Sequence, residues 1–264
     1  MSHRLGDGKD LAKTCFAFIL FSLCASATYV FNDLLDLEKD RQHPQKKLRP
    51  LAAGLVSPAT GWKLLSFLLC LVLAPSFFFS GNFTLLLGLY FCFAVVYSFY
   101  LKKIVLMDVM TLAFFYTLRI FAGSMAAQIP VSSWLLAFSI FIFLSLAFLK
   151  RFSEVQMLSP EERLKTGRGY RKEDLTTLSQ LGTSSAYLAV LVMALYVSSA
   201  DVAPLYSHPR LLWFLCPIIL YWVSRVWFLG TRGEIHEDPI LFALRDPASY
   251  VSVVLSGTVV WMAL

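Results

Sequence analysis

Residues 11–31, LAKTCFAFILFSLCASATYVF, run without a break into residues 32–41, NDLLDLEKDR, and that junction decides the fold. The first part is as long as a helix needs to cross hydrocarbon, roughly 20 apolar residues. The second part carries Asp33, Asp36 and Asp40 in ten residues. Charges are costly inside a bilayer, so the acids belong at the water-facing mouth of a spanning helix.

Working outward, further apolar runs of similar length occupy 61–79, 83–100, 105–128, 131–149, 181–200, 211–229 and 248–264. The chain of 264 residues is 58% hydrophobic and only 15% charged, with mean hydropathy +0.66. A soluble domain carries about a quarter of charged residues. The expected architecture is therefore all-α: one polytopic transmembrane helical bundle over residues 1–264 with about eight spans, leaving no length for a sizeable soluble domain.

The net charge of +6 has its cause in the loops. Lys39, Arg41, Lys46, Lys47 and Arg49 follow the first span, and Lys102 and Lys103 the third. Lys150, Arg151, Arg163, Lys165, Arg168, Arg171 and Lys172 follow the fifth, and Arg232 and Arg245 the seventh. The loops after the second and fourth spans hold no Lys or Arg, and the loop after the sixth holds only Arg210. The positive-inside rule puts the basic set on the cytoplasmic face of the plasma (inner) membrane. It gives no reason to expect a nucleic-acid partner. One feature runs against the trend: His3, Arg4, Lys9 and Lys13 then fall outside. A further span before residue 1, or signal-peptide cleavage after Ala25-Ser26-Ala27, would each account for it. Cys15, Cys24, Cys70, Cys92 and Cys216 all lie in apolar runs without a CxxC, and the four histidines are scattered, so neither disulfide nor His-metal chemistry is expected.

The acids at 33, 36 and 40 fall at i, i+3 and i+7, on one side of a helix, with Asn32 one turn from Asp36. Three stacked carboxylates repel one another unless a cation sits between them. Hard oxygen ligands favour Mg²⁺, which bridges carboxylates to substrate phosphates. Lys46, Lys47 and Arg49 are placed to neutralise the far side of a diphosphate. The plainer reading is a solvated helix end with i,i+4 charge pairs. It explains Glu38 and Lys39 well, and the alignment of Asp33, Asp36 and Asp40 less well.

The whole block resembles the UbiA superfamily of membrane transferases. Asn32, Asp33, Asp36 and Asp40 match its N-D-x-x-D-x-x-x-D motif without a gap. The continuation Asp40-Arg41-x-His43-Pro44-x-Lys46-x-x-Arg49-Pro50 is similar to the decaprenyl-phosphate phosphoribosyltransferase branch. So are Tyr97-Ser98-x-x-Leu101-Lys102, Leu118-Arg119-x-x-Ala122-Gly123, Lys150-Arg151-x-x-Glu154 and Asp238-Pro239…Arg245-Asp246. The resemblance implies a UbiA-type bundle in which Asp33, Asp36 and Asp40 hold Mg²⁺ and act on a diphosphate. It also implies a family helix ahead of residue 1. Typical aromatic prenyltransferases of the superfamily carry a second acidic motif where this sequence has Lys150, Arg151 and Glu154. That exchange favours a phosphate-rich substrate pair, such as phosphoribosyl diphosphate with a polyprenyl phosphate lipid. As an inside anchor, Lys150 and Arg151 would be equally ordinary.

Asp108 and Arg119 lie three turns apart in the fourth span, where ionised groups face a polar cavity or pair with each other. Tyr97 and Lys102 flank the cytoplasmic end of the third span, with Lys102 either on the diphosphate or snorkelling. Arg168, Tyr170 and Arg171 read as a lid or a lipid-headgroup contact, and Arg225 as an interface anchor. The substrate-binding set is thus Asn32, Lys46, Arg49, Tyr97, Lys102, Asp108, Arg119, Lys150, Arg151 and Glu154. The expected activity is Mg²⁺-dependent displacement of diphosphate, with phosphoribose passing to the lipid phosphate. Its rivals are prenyl transfer from a prenyl diphosphate to an aromatic acceptor, and a transporter, for which no inverted repeat speaks. Membrane lipids are expected neighbours, and an oligomer is open.

Overall fold

The computed structural model describes residues 8–42, 46–79, 81–157, 169–235 and 238–264. Its regular elements are helices: α1 Gly8–Leu35, α2 Leu37–Gln42, α3 Pro58–Ser76, α4 Gly81–Phe99, α5 Met107–Ala127, α6 Ser133–Gln156, α7 Leu175–Ser198, α8 Leu215–Thr231, α9 Pro239–Ala243 and α10 Pro247–Ala263. Their starts are written in the sequence. Ser57 caps α3 by accepting the Thr60 N–H, Asp238 caps α9 by accepting the Ile240 N–H, and Asp246 caps α10 by accepting the Ser249 N–H. Proline follows each cap, where its missing N–H costs nothing.

Among the described residues seven helices are long and apolar enough to cross a membrane, and α10 is a shorter apolar helix. The eighth expected span, 248–264, is thus a 17-residue helix at the short end of the spanning range. The sixth begins earlier than expected, at Leu175, because its first turns are polar and hydropathy alone does not reach them. The seventh is entered through a 3₁₀ turn, Pro209–Phe214. The chain is an integral membrane protein.

Two compact units make up the chain. One holds α1–α4 and the end of α5 from Leu118. Here Ala27 of α1 is buried with Leu65 and Leu68 of α3. Phe31 lies 6.1–6.3 Å from the rings of Trp62, Phe91 and Phe99. A Cβ on Gly61 would come 2.8 Å from Leu34, so the glycine lets α3 approach α1. Lipid supplies no hydrophobic drive between helices, so close packing of this kind holds them.

The other unit holds the start of α5 and α6–α10. Its centre is Trp227, 4% exposed, whose indole donates to Ser145 at 2.9 Å and meets Phe152 edge-on. The ring packs against Gly182, where a Cβ would sit 2.1 Å from it. Leu149 covers Gly230 in the same way.

Candidate active site

The first cluster is built by helix continuity. Backbone bonds Asp36 N–H to Asn32 O (2.9 Å) and Asp40 N–H to Asp36 O (2.8 Å) carry helical geometry from α1 into α2. Asp33 and Asp40, seven residues apart, come within about 20° of each other around the axis, and Asp36 is about 60° away. The side chains divide accordingly. Nη1 of Arg49 donates to Asp33 Oδ1 at 2.7 Å and to Asp40 Oδ2 at 2.8 Å. Lys102 Nζ donates to Asp36 Oδ2 at 2.5 Å and to Asn32 Oδ1 at 3.1 Å. Lys102 and Asp40 are buried, 6% and 5% exposed. Lys102 therefore points inward to the acids and does not snorkel. Lys46 is half-buried in the turn that delivers Arg49 and lies within electrostatic reach of Asp33. Tyr97 is half-buried in the last turn of α4.

Among the described residues no three acidic, His or Cys side chains converge as a ready cation site. Asp33 and Asp40 share a cation, and Asp36 faces another. Each carboxylate thus has a cation of the chain itself beside it, which offsets part of the repulsion among the three acids.

The second cluster belongs to the other unit. Asp108, in the first turn of α5, is fully buried and paired with the Arg151 guanidinium through Nε and Nη2. Nη1 of Arg151 holds Glu154. The expectation that Arg151 docks a substrate phosphate meets an obstacle here, because its side chain is 1% exposed and its donors face acids. Lys150 is different: a quarter exposed, it holds Asp238 Oδ2 at 2.5 Å. Asp108 thus faces Arg151. Arg119 is half-buried in mid-span, with its guanidinium over the rings of Phe21 (5.6 Å) and Tyr90 (6.0 Å). Cation–π contacts stabilise a charge that is costly at that depth.

Tyr170, expected in a lid, is 4% exposed, and its hydroxyl accepts the Leu106 N–H at 3.0 Å. Leu106 has φ +67°, a left-handed conformation unusual for a leucine, and that hydrogen bond helps to hold it. Burial pushes the Tyr170 hydroxyl above its ordinary pKa; Asp108 adds to this, and the Leu106 N–H and Arg151 oppose it. Arg171 caps the following turn through its backbone, donating to Asp174 at 2.8 Å. Arg168, Arg163, Lys165, His43 and Pro44 lie outside the described residues, as do His3 and Arg4.

Two partners were missed in the sequence. Arg225 is no lone anchor: it forms a two-bond pair with Asp246 at 2.8 and 2.9 Å. Asp238 faces Lys150. An arginine within a span calls for an acid, and that signal was there to read.

The chain's likeness to known proteins agrees with this geometry. A family model described as the UbiA prenyltransferase family matches residues 4–244. The chain belongs to that family. This UbiA-family chain is 35% identical over 261 residues to the uncharacterized protein y4nM of Sinorhizobium fredii, covering 98% of its own length and 50% of the relative's. It thus spans half the length of that relative. It is also 34% identical over 243 residues to the decaprenyl-phosphate phosphoribosyltransferase of Mycolicibacterium smegmatis, covering 89% of itself and 75% of that protein. In three dimensions it superposes on a UbiA homolog from Archaeoglobus fulgidus bound to DMAPP and Mg²⁺ with a TM-score of 0.67 at 16% identity, covering 94% of this chain and 88% of the other. At that identity the superposition shows the UbiA fold.

Proposed function

We propose that this protein is a magnesium-dependent membrane transferase that moves phosphoribose from phosphoribosyl diphosphate to a polyprenyl phosphate, with its polar site on the cytoplasmic face of the plasma membrane. One observation carries the reading. At the end of a spanning helix, Asp33, Asp36 and Asp40 are interleaved with Arg49 and Lys102. Carboxylates suit a hard divalent metal, and guanidinium and ammonium groups suit phosphate.

The residues fit magnesium. Two carboxylate oxygens already meet on one positively charged atom, Nη1 of Arg49, and both are hard donors. Asp33 and Asp40 would hold the ion, with Asp36 beside them. Bound there, magnesium would offset the charge that builds on the departing diphosphate.

The chain's own residues do the rest. Lys102, Arg49 and Lys46 bind and orient the donor phosphates. The bond between ribose C1 and the diphosphate oxygen breaks, and its electron pair leaves with that oxygen. A phosphate oxygen of the lipid acceptor forms the new bond to C1. That oxygen is already anionic at neutral pH, so no strong general base is required. Lys150 binds one of the phosphorylated substrates. Arg151 keeps α6 fixed to α5 through Asp108. The acceptor's tail stays in lipid while the polar donor arrives from water.

The activity named for the Mycolicibacterium relative supports this choice of substrates. The Archaeoglobus neighbour, bound to DMAPP and Mg²⁺, supports magnesium with a prenyl diphosphate, which is the second reading. The test is to incubate membranes containing the protein with Mg²⁺, phosphoribosyl diphosphate labelled in the ribose, and decaprenyl phosphate. Label should enter the lipid phase and be lost with Asp36→Asn. No label from folded protein, with turnover of a prenyl diphosphate instead, would replace this reading with prenyl transfer.

A further inference from the structure

We propose that Arg49 is a resident counter-ion that divalent metal must displace, and that the displaced guanidinium then binds the donor diphosphate, so that metal loading and donor binding are coupled through one side chain. The inference rests on the metal-motif reading above and goes beyond it by naming the side chain that a metal would have to replace.

A single nitrogen of Arg49 lies 2.7 Å from Asp33 and 2.8 Å from Asp40. It occupies the point between the two carboxylates that a cation bridging them would take. A metal ion bridging the same two oxygens competes with this guanidinium for them, because both are positive and both draw on the same electron density. The guanidinium is the mobile partner. Its side chain is 39% exposed, whereas that of Asp40 is 7% exposed. It is carried by a turn, Arg49 N–H to Lys46 O at 3.0 Å, and not by a spanning helix. The second cation behaves differently. Lys102 is buried and holds Asp36 and Asn32, so it stays while Arg49 moves.

The consequence is a sequence of charge states. Without metal, Arg49 keeps Asp33 and Asp40 together and offsets part of their mutual repulsion. With metal, the released guanidinium stands beside a diphosphate bound to the ion, where a planar two-donor cation is well matched to phosphate oxygens. Diphosphate gives Arg49 a new partner, and so helps metal to displace it. Binding effects of this kind are reciprocal.

The test uses the full chain purified in detergent, with Mn²⁺ as the metal probe and inorganic diphosphate as the donor probe. Mn²⁺ binding is followed by electron paramagnetic resonance, and diphosphate binding at saturating Mn²⁺ by calorimetry. Arg49→Gln should bind Mn²⁺ about fivefold more tightly than wild type in the absence of diphosphate, the size of one partly exposed competing ion pair. The same variant should bind diphosphate several-fold more weakly. Opposite signs in the two measurements are what a merely structural role would not give. Thermal unfolding guards against a folding defect: Arg49→Gln should melt lower without metal and gain more from Mn²⁺ than wild type does. Arg49→Lys, which keeps the charge, should stay near wild type in Mn²⁺ affinity. Unchanged or weaker Mn²⁺ binding by Arg49→Gln, with Asp33→Asn still abolishing binding in the wild-type background, overturns the coupling and leaves the metal motif standing. Mn²⁺ binding that is absent in wild type, or indifferent to Asp33→Asn, overturns both.

Discussion

The Arg151 guanidinium closes edge-on against the Asp108 carboxylate, forty-three positions earlier in the chain, and neither side chain reaches solvent. The pair ties the start of α5 to the end of α6. Removing Asp108 takes the carboxylate from Nε and Nη2 of the buried guanidinium and leaves it Glu154 on Nη1. Asp108→Ala should therefore destabilise the protein by about 3–5 kcal/mol. Replacing both, as Asp108→Asn with Arg151→Met, should cost much less, because no bare charge remains. Thermal unfolding in detergent checks both, and equal losses for the single and double variants would count against the pair.

Gly182 gives a second stability test, by volume instead of charge. A Cβ there would lie 2.1 Å from Cζ2 of Trp227 and 2.9 Å from Phe148 Cβ. The indole has little freedom to yield, because its N–H is held by Ser145 and its ring lies against Phe152. Gly182→Ala should lower stability by about 2–3 kcal/mol, the cost of overpacking. The control is Gly88→Ala, where the added Cβ meets nothing within 4 Å; it should leave the melting temperature unchanged.

These two sites show what the sequence could and could not disclose. Spans, loop charges and the helical run of Asn32, Asp33, Asp36 and Asp40 are all local, because hydropathy windows and i,i+4 spacing depend on near neighbours only. The partners are not local. Nothing near Arg151 in the chain names Asp108, and nothing near Lys102 names Asn32 or Asp36, which lie 70 and 66 residues away. Arg151 and Lys102 carry the same sequence signal, a base at a span end, yet one is sealed against acids in its own unit and the other faces the motif. Burial decides between those roles, and burial follows from helix packing that composition does not specify. At α10 the local signals agree: apolar content marks 248–264, and Asp246 and Pro247 fix where the helix starts.

Asp246 predicts a pH dependence. Burial alone would raise its pKa, but hydrogen bonds from Arg225 and from the Ser249 hydroxyl and N–H outweigh it, and the carboxyl is held below its usual range. A group whose pKa is lower folded than unfolded stabilises the protein at pH values above its unfolded pKa. That stability is lost as pH falls through the depressed folded value. Stability should thus decline in acid below about pH 4, the ordinary carboxylate region, and part of the decline should vanish in Asp246→Asn. At neutral pH the variant should lose about 2 kcal/mol, from a weakened helix cap and a broken ion pair. The check is the unfolding midpoint followed from pH 7 to pH 3. A variant with the same acid slope as wild type would show that Asp246 does not titrate with unfolding.

Lys102 separates binding of the donor from the architecture around it. Its ammonium holds Asp36 and Asn32 from a buried position among the acids. If it also takes up charge on the departing diphosphate, its contribution is larger in the transition state than in the ground state. Lys102→Met keeps the apolar stem and removes the charge together with its bonds to Asp36 and Asn32. It should lower kcat by about 100-fold with a smaller change in KM, the pattern for an interaction strengthened in the transition state. Asp36→Asn removes the partner and leaves Lys102 with a neutral amide, and should also cost about 100-fold or more. The variants should differ in metal dependence. Raising Mg²⁺ should partly restore Asp36→Asn, whose oxygen donor is weakened, and should not restore Lys102→Met, whose loss is a phosphate-facing charge. The measurement is initial transfer rate against Mg²⁺ concentration for both variants. Rescue of Lys102→Met by metal would mean that the lysine serves only to position Asp36.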